Sequence, residues 1–278
     1  MEIVSLIDNT SENENLLSEH GLSLYVKKNN TAYLFDAGAS SNFIINSDRL
    51  NVDLASVSAI IISHNHIDHI GGLKDLLEIN KTANVYIKYE SDNDFFTENE
   101  KHNKKKDVKK ISIGKEFFEK YRERFVWIKD DHKLDDNTYL LSVSEVDPLY
   151  VSRYNGLYMK RNGIMVKDNF KSELFMVNIQ GNRLVILSAC SHNGIINIAR
   201  SALKKFPGYI VSCIIGGFHL KDMFNSVEHI INTARELMVL GSDTYTCHCT
   251  GDEAFSILRH KLGKKIAGFP TGSRLKIT

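Results

Sequence analysis

Six residues with metal-ligating side chains carry the strongest chemical signal in the chain. They are His64, His66, Asp68 and His69, spaced His-x-His-x-Asp-His, and His192 and His248 far downstream. In an extended segment alternate side chains point the same way, so His64 and His66 can converge on one ion. Asp68 and His69, past the bend, can reach a second. Two-metal sites hold their ions roughly 3.5–4 Å apart. Imidazoles with a carboxylate suit zinc, iron, manganese or cobalt rather than calcium or magnesium. A lone histidine is more often structural than a ligand, but without an ion this motif would crowd three imidazoles and a carboxylate at one strand end. His219 admits three roles: ligand, substrate-facing acid, or hydrogen-bond donor behind a ligand. Such ions would lower the pKa of a bound water towards neutrality, giving hydroxide as nucleophile, and would stabilise charge on a phosphoryl or carbonyl oxygen. Asp68 would orient that water or move its proton. Asp68 and His219 are therefore the candidate catalytic residues.

These residues need strand-end loops to present them. Residues 21–27 and 32–38 alternate around a short polar turn and predict a hairpin. Residues 56–62 read as a buried strand that ends at the first histidines, and Leu73, Leu76, Leu77 and Ile79 predict a helix beyond Gly71-Gly72. The two glycines would let that helix pack closely on the strand. A strand follows at 83–89. The stretch at about 91–135 is polar and charged, with lysines at 104–106 and 109–110 and a helix over about 115–124, and reads as a surface or cap excursion. The lysine run reads as a solvated segment, the alternative being a phosphate-gathering patch. Phe117, Phe118, Tyr121 and Trp127 read as its core rather than a base-stacking platform.

The second half repeats this grammar. A hairpin over 174–188 leads to His192, a helix carries Ile195, Ile196, Ile198, Ala199, Ala202 and Leu203 on one stripe, and a strand over 209–215 leads to His219. A helix covers about 225–240, a short strand from Thr244 leads to His248, and Thr250–Glu253 has the form of a capping box. Four histidine loops thus each follow a strand and precede a helix, which places them at one sheet edge. The expectation is one domain over residues 1–278.

Composition narrows the function. The 278 residues carry 35 basic and 34 acidic side chains, so bulk charge does not drive polyanion binding. No apolar run nears the ~20 residues of a membrane span, and the N-terminus lacks the pattern of a signal peptide. Four cysteines, none in CxxC spacing, support neither a zinc ribbon nor a thioredoxin motif and suggest reduced thiols in the cytoplasm. The expected partner is a small anionic substrate, with no membrane and no nucleic acid; the sequence leaves the oligomeric state open.

The run Ser63–Leu73 closely resembles the His-x-His-x-Asp-His signature of the metallo-β-lactamase superfamily. Glu19–Ser23, Phe35–Gly38, Cys190–Ile198, Gly216–Leu220 and His248–Gly251 resemble one branch of it. That branch holds the archaeal dihydropterin–ribofuranosylaminobenzene 5′-phosphate synthase and bacterial relatives called metal-dependent hydrolases. The resemblance implies an α/β fold, a four-layer αβ/βα sandwich of two mixed β-sheets flanked by helices, with a dinuclear site between sheet edges. It implies two divalent transition metal ions, zinc foremost, with manganese or iron as alternatives. The implied ligands are His64, His66, Asp68, His69, His192 and His248. Most superfamily members place a bridging Asp at the end of the strand 184–188, where this chain has Ala189-Cys190-Ser191-His192. Either Cys190 contributes a thiolate or the bridge is lost and His192 supplies the site; His192 is the preferred reading. Asp36 reads as the carboxylate that orients a ligand histidine, with a plain turn aspartate as the alternative. Glu19 and His20 line the pocket or simply make a turn.

The function implied is a metal-dependent hydrolase, or a synthase-type transferase, acting on a small phosphorylated or pyrophosphorylated substrate. A non-catalytic metal-bound regulatory protein on the same fold would hold metal without turnover. A nuclease would bind RNA with steep salt dependence, which the near-neutral charge argues against. A di-iron electron-transfer enzyme is disfavoured because the chain carries no flavodoxin-like domain.

Overall fold

The computed structural model describes residues 1–98, 108–152, 156–221 and 226–278. Its first half runs β1 (Glu2–Ile7), β2 (Ser23–Lys28), β3 (Thr31–Phe35), α1 (Asn42–Arg49), β4 (Ala59–Ile61), α2 (Ile67–Ile70), α3 (Leu73–Ile79), β5 (Asn84–Lys88), β6 (Asp94–Glu98), β7 (Val108–Lys110), α4 (Lys115–Lys120) and β8 (Phe125–Ile128). The second runs β9 (His132–Asp135), β10 (Thr138–Leu141), β11 (Leu157–Arg161), β12 (Ile164–Lys167), β13 (Phe175–Gln180), β14 (Arg183–Leu187), α5 (Ile195–Lys205), β15 (Ile210–Gly216), α6 (Val227–Leu240), β16 (Asp243–Thr246), α7 (Asp252–Leu262), β17 (Ile266–Gly268) and β18 (Arg274–Lys276).

Among the described residues, two seven-stranded mixed sheets have the orders β18-β1-β2-β3-β4-β5-β8 and β17-β16-β15-β14-β13-β10-β9. In each, a hairpin feeds parallel strands: β2–β3 leads to β4 and β5, and β13–β14 leads to β15 and β16. β4, β14 and β15, which lead to the first three histidine loops, read as largely apolar runs because both faces are buried, whereas β16 is polar. Ile60 and Ile62 face the layer of α1, α3 and α4, whereas Ala59 and Ile61 face the other sheet. Likewise Leu184 and Ile186 lie under α5–α7, and Val185 and Leu187 point between the sheets. Three apolar layers thus hold four layers of structure together, the αβ/βα sandwich expected.

A third, four-stranded antiparallel sheet, β12-β11-β6-β7, is an addition. The polar stretch at 91–135 divides between it and the sandwich. β6 and β7 enter the third sheet, whereas β8 pairs parallel with β5 and Phe117, Phe118, Tyr121 and Trp127 pack into the outer core of the first. Lys104–Lys106 lie outside the described residues; Lys110 pairs with Asp94.

Two local expectations are corrected. Thr250 does not cap α7: the N-cap is Gly251, at φ 76°, and the Thr250 hydroxyl instead accepts the Phe218 N–H at 3.0 Å. Gly71 and Gly72 are small because of the loop after β3 rather than the strand before them. A Cβ on Gly71 would lie 2.2 Å from the Ala39 carbonyl oxygen, and one on Gly72 2.3 Å from that of Ser40.

Asp135 ties the two large sheets together. From β9 it accepts hydrogen bonds from Tyr33 on β3 and from Lys28 on β2 (3.2 Å). Burial pushes its carboxyl up, but the hydrogen bonds from Tyr33, Asn137, Thr138 and Lys28 outweigh this and hold it at about 2. With the folded value below the ordinary 3.8, the contribution is present above the unfolded pKa and is lost as pH falls through the folded one. Asp135→Asn is expected to cost about 1 kcal/mol at neutral pH, the side chain being partly exposed. Denaturant unfolding should show that gap narrowing below about pH 4; a gap constant in acid would refute the assignment.

Candidate metal centre

Four loops of the centre leave their strands through a backbone that L-residues rarely adopt. Asp36 (φ 62°) follows β3, Ser191 (φ 57°) follows β14, His219 (φ 47°) follows β15 and His248 (φ 53°) follows β16. Left-handed non-glycine residues persist where surrounding contacts over-determine them. Here those contacts are specific. Asp8 accepts the His248 N–H at 2.7 Å. Glu173 accepts the N–H groups of His192 (2.7 Å) and Asn193 (3.0 Å). The Ser191 hydroxyl donates to the Gly217 carbonyl at 2.6 Å. Gly216 (φ 142°) lets the ends of β14 and β15 meet, since a Cβ there would lie 1.9 Å from the Ser188 carbonyl oxygen.

The side chains so placed form overlapping groups that could hold metal ions: His64, His66 and His192; Asp68, His69, Cys190 and His248; and Cys190, His192 and His219. The alternatives for the segment 189–192 therefore meet in one arrangement. His192 joins His64 and His66, while Cys190 joins the second group, its Sγ 3.1 Å from His69 Nε2. His219 stands beside His192, ring centroids 4.4 Å apart, and its backbone N–H donates to Cys249 Sγ.

Hydrogen bonds set which nitrogens face inward. The Ser63 hydroxyl donates to Asp36 Oδ2 (2.8 Å), so it must accept from His64 Nδ1–H (2.8 Å). His64 Nε2 is left as a lone pair, 3.1 Å from His66 Nδ1 and 3.3 Å from His192 Nε2. His69 Nδ1–H donates to the same Asp36 carboxylate at 2.8 Å, which turns its Nε2 towards Cys190 and Asp68. Asp36 is thus fully buried behind two histidines and orients both. Glu19 clamps the adjacent loop by accepting from the N–H groups of Ala39 and Ser40. His20 reaches Asp68 Oδ2 at 3.3 Å.

Electrostatics divide the groups. Burial, reinforced by neighbouring imidazoles, holds His64 and His192 well below the ordinary histidine value. Burial also takes His66 down to about 3, against the pull of Asp68. Neutral imidazole is the ligand form. Burial works against charge on His69 too, but Asp68 and Asp36 outweigh it and lift it to about 9. Burial would raise Asp68, yet His69 and His248 hold it well below the carboxylate range. Three neutral imidazoles, with His64 Nε2, His66 Nδ1 and His192 Nε2 facing one another, beside an ionised carboxylate, a thiol and two further imidazoles, fit first-row transition ions.

Sequence reasoning does not single out several residues of the centre: Asp8, Asn9, Asp168, Phe170 and Glu173. Phe170 stacks on His192 at 4.4 Å and 4°. With Asp168, Glu173 and Phe95 it lines a narrow crevice against His64 and His66. Asp8 and Asn9 follow an apolar strand as the histidines do, and that strand-end position is the signal that could have found them.

The family model of the metallo-β-lactamase superfamily matches residues 19–143. A 7,8-dihydropterin-6-methyl-4-(β-D-ribofuranosyl)-aminobenzene-5′-phosphate synthase of Methanocaldococcus jannaschii is 29% identical over 97% of this chain and 94% of its own length. The crystal structure of Tm1679, described as a metal-dependent hydrolase of the β-lactamase superfamily, aligns with a TM-score of 0.83 and 26% identity, covering 100% of this chain and 99% of that one. A diphosphatase of the PhnP family shares the fold, with a TM-score of 0.52, 14% identity and coverage of 99% and 96%. Among the described residues, no helix is long and apolar enough to cross a membrane. The signature motif, the two facing mixed sheets and these relatives agree, and the chain resembles the metallo-β-lactamase superfamily in sequence and in fold.

Proposed function

We propose that the chain is a metal-dependent hydrolase with a dinuclear centre, acting on a small phosphorylated or pyrophosphorylated substrate. The observation that carries this reading is the pairing of a three-imidazole group with an Asp–His–His–Cys group through neighbouring residues of shared loops. His64, His66 and His192 would hold one ion and Asp68, His69 and His248 the other, with Cys190 beside both. Bound there, two divalent ions, zinc foremost, would supply Lewis acidity and lower the pKa of a water. Asp68, ionised and 15% exposed, holds its Oδ2 within 3.3 Å of both His20 Nε2 and His248 Nε2, where it can accept a proton at the mouth. His219, half-buried beside His192, is the second proton-handling candidate. The crevice wall of Phe95 and Phe170 limits water on the three-imidazole side. The phosphate class is supported by the relative named for a 5′-phosphate product.

Elemental mass spectrometry of the purified protein is the first test, with turnover on phosphomonoesters and diphosphates. About two ions per chain, with activity lost to a chelator and restored by zinc or manganese, is the expected result. Metal without turnover across the panel would move the protein to the regulatory reading, and absence of metal under replete conditions would overturn the site.

The name of the Methanocaldococcus jannaschii relative, a synthase, favours a second reading: transfer to an aryl acceptor rather than to water. Reaction in ¹⁸O-water separates the two. Label enters a product on hydrolysis and stays out on transfer.

A further inference from the structure

Asn9 lies just beyond β1, and its side-chain amide meets four partners. Its Oδ1 accepts the Gly21 N–H at 3.3 Å and lies 2.9 Å from His248 Nδ1. Its Nδ2 donates to the His248 carbonyl at 3.2 Å and lies 3.3 Å from His20 Nδ1. Two of these partners have fixed polarity, because an N–H only donates and a carbonyl only accepts. They set the amide one way round, and the flipped amide would oppose donor to donor and acceptor to acceptor. The two histidines must then differ. His248 Nδ1 carries a hydrogen, so Nε2 is the nitrogen free to meet an ion. His20 Nδ1 is a lone pair, so its hydrogen sits on Nε2. The rings stack with centroids 4.9 Å apart, and both Nε2 atoms lie 3.3 Å from Asp68 Oδ2. Their surroundings also differ: the His248 side chain is fully buried, whereas that of His20 is 64% exposed.

We propose that Asn9 is a positioning residue that gives two stacked histidines opposite tautomers, assigning His248 to the metal ion and His20 to the substrate. His20 Nε2–H, held at the mouth, donates to an anionic oxygen such as that of a phosphate. The assignment of His248 to an ion rests on the metal-dependent reading above, while the tautomers themselves follow from the amide.

The test reads nitrogen chemical shifts in protein labelled with ¹⁵N-histidine, metal-free at about pH 8, where unperturbed imidazoles are neutral. His248 is expected as the Nδ1–H form and His20 as the Nε2–H form. Asn9→Asp keeps an acceptor for His248 but cannot donate to His20, so His20 should gain an Nδ1–H while His248 is unchanged. Asn9→Ala should leave His248 as a mixture of tautomers and weaken zinc binding about 10- to 100-fold, the usual cost of losing a partner behind a ligand. The substrate half is read by calorimetric titration of the zinc-loaded protein with inorganic phosphate. His20→Ala should weaken phosphate about tenfold, the worth of one hydrogen bond to a charged oxygen, with zinc content unchanged. An Nε2–H form of His248 in the wild type, or a His20 unaffected by Asn9→Asp, would overturn the tautomer assignment. Phosphate affinity equal in wild type and His20→Ala, or none in either, would overturn the substrate role. Failure of the metal-dependent reading would appear separately, as zinc content near zero with both tautomers as described.

Discussion

Alanine at His192 is expected to lower turnover about a thousandfold, or ~4 kcal/mol of barrier, and to take the ion from the three-imidazole group while the protein still folds. His64 and His66 come from one loop of the first sheet, and His192 alone of that group comes from the second. Removing its ring leaves two nitrogens on one short segment. The loop itself does not depend on the imidazole. Glu173 still holds the His192 and Asn193 N–H groups, and the Ser191 hydroxyl still reaches the Gly217 carbonyl. What the fold loses is the buried ring's contact with the half-buried Phe170, whose deletion costs about 2 kcal/mol, the low end for large-to-small core changes. Elemental analysis should therefore fall from about two ions per chain towards one, with a cooperative unfolding transition retained. Full metal content with a large rate loss would make His192 a substrate contact instead. Unchanged turnover would remove it from the centre.

The residues that the sequence made legible are those whose role is written locally. The His64–His69 motif lies within one short segment, and the apolar runs before it and before His192 and His219 are strands largely buried on both faces. The capping box failed because Thr250 is drawn into the Phe218 N–H, a contact across 32 residues that local spacing cannot express. The same holds for Asp8, whose carboxylate meets the His248 N–H 240 residues away, and for the β1–β18 pairing that joins the two ends of the chain. Cys190 and His192 posed a choice only along the chain. Around Ser191, at φ 57°, Cys190 reaches the group of Asp68 and His192 that of His64, and the two meet in a third with His219. Glu173 and Phe170 precede a strand and look like surface turn residues until the histidine loop is folded against them. The residues proposed to bind are thus readable from residue type and spacing, whereas the residues that hold them in place are tertiary.

Asp36→Asn separates these two kinds of contribution, and its expected effect falls on the metal rather than on the fold. Asp36 has a left-handed backbone, which asparagine tolerates nearly as well, and the two side chains have the same shape. Wild-type Asp36 only accepts: Oδ1 takes the Ser63 N–H at 2.7 Å, and Oδ2 takes the Ser63 hydroxyl and His69 Nδ1–H, each at 2.8 Å. The amide offers one acceptor in place of two. With its oxygen towards the Ser63 N–H, its NH₂ faces Ser63 Oγ and His69 Nδ1, and both must reverse. The Ser63 hydroxyl then donates to His64 Nδ1, which pushes the hydrogen of His64 onto Nε2, the atom facing His66 and His192. His69 is pushed the same way, onto the Nε2 that faces Cys190. One atom-for-atom change therefore places hydrogens on an inward nitrogen in each group. Zinc affinity is expected to fall at least about 100-fold, the upper end for a single partner behind one ligand, because two ligands are affected. Asp36→Ala adds to this the left-handed backbone cost of about 1–2 kcal/mol and buried donors left without partners, so it should be markedly less stable than Asp36→Asn while losing metal to a similar extent. Competition with a chromophoric chelator and thermal unfolding of the metal-free proteins measure the two effects separately. Wild-type zinc affinity in Asp36→Asn would show that the Ser63–Asp36–His69 network supports the fold alone.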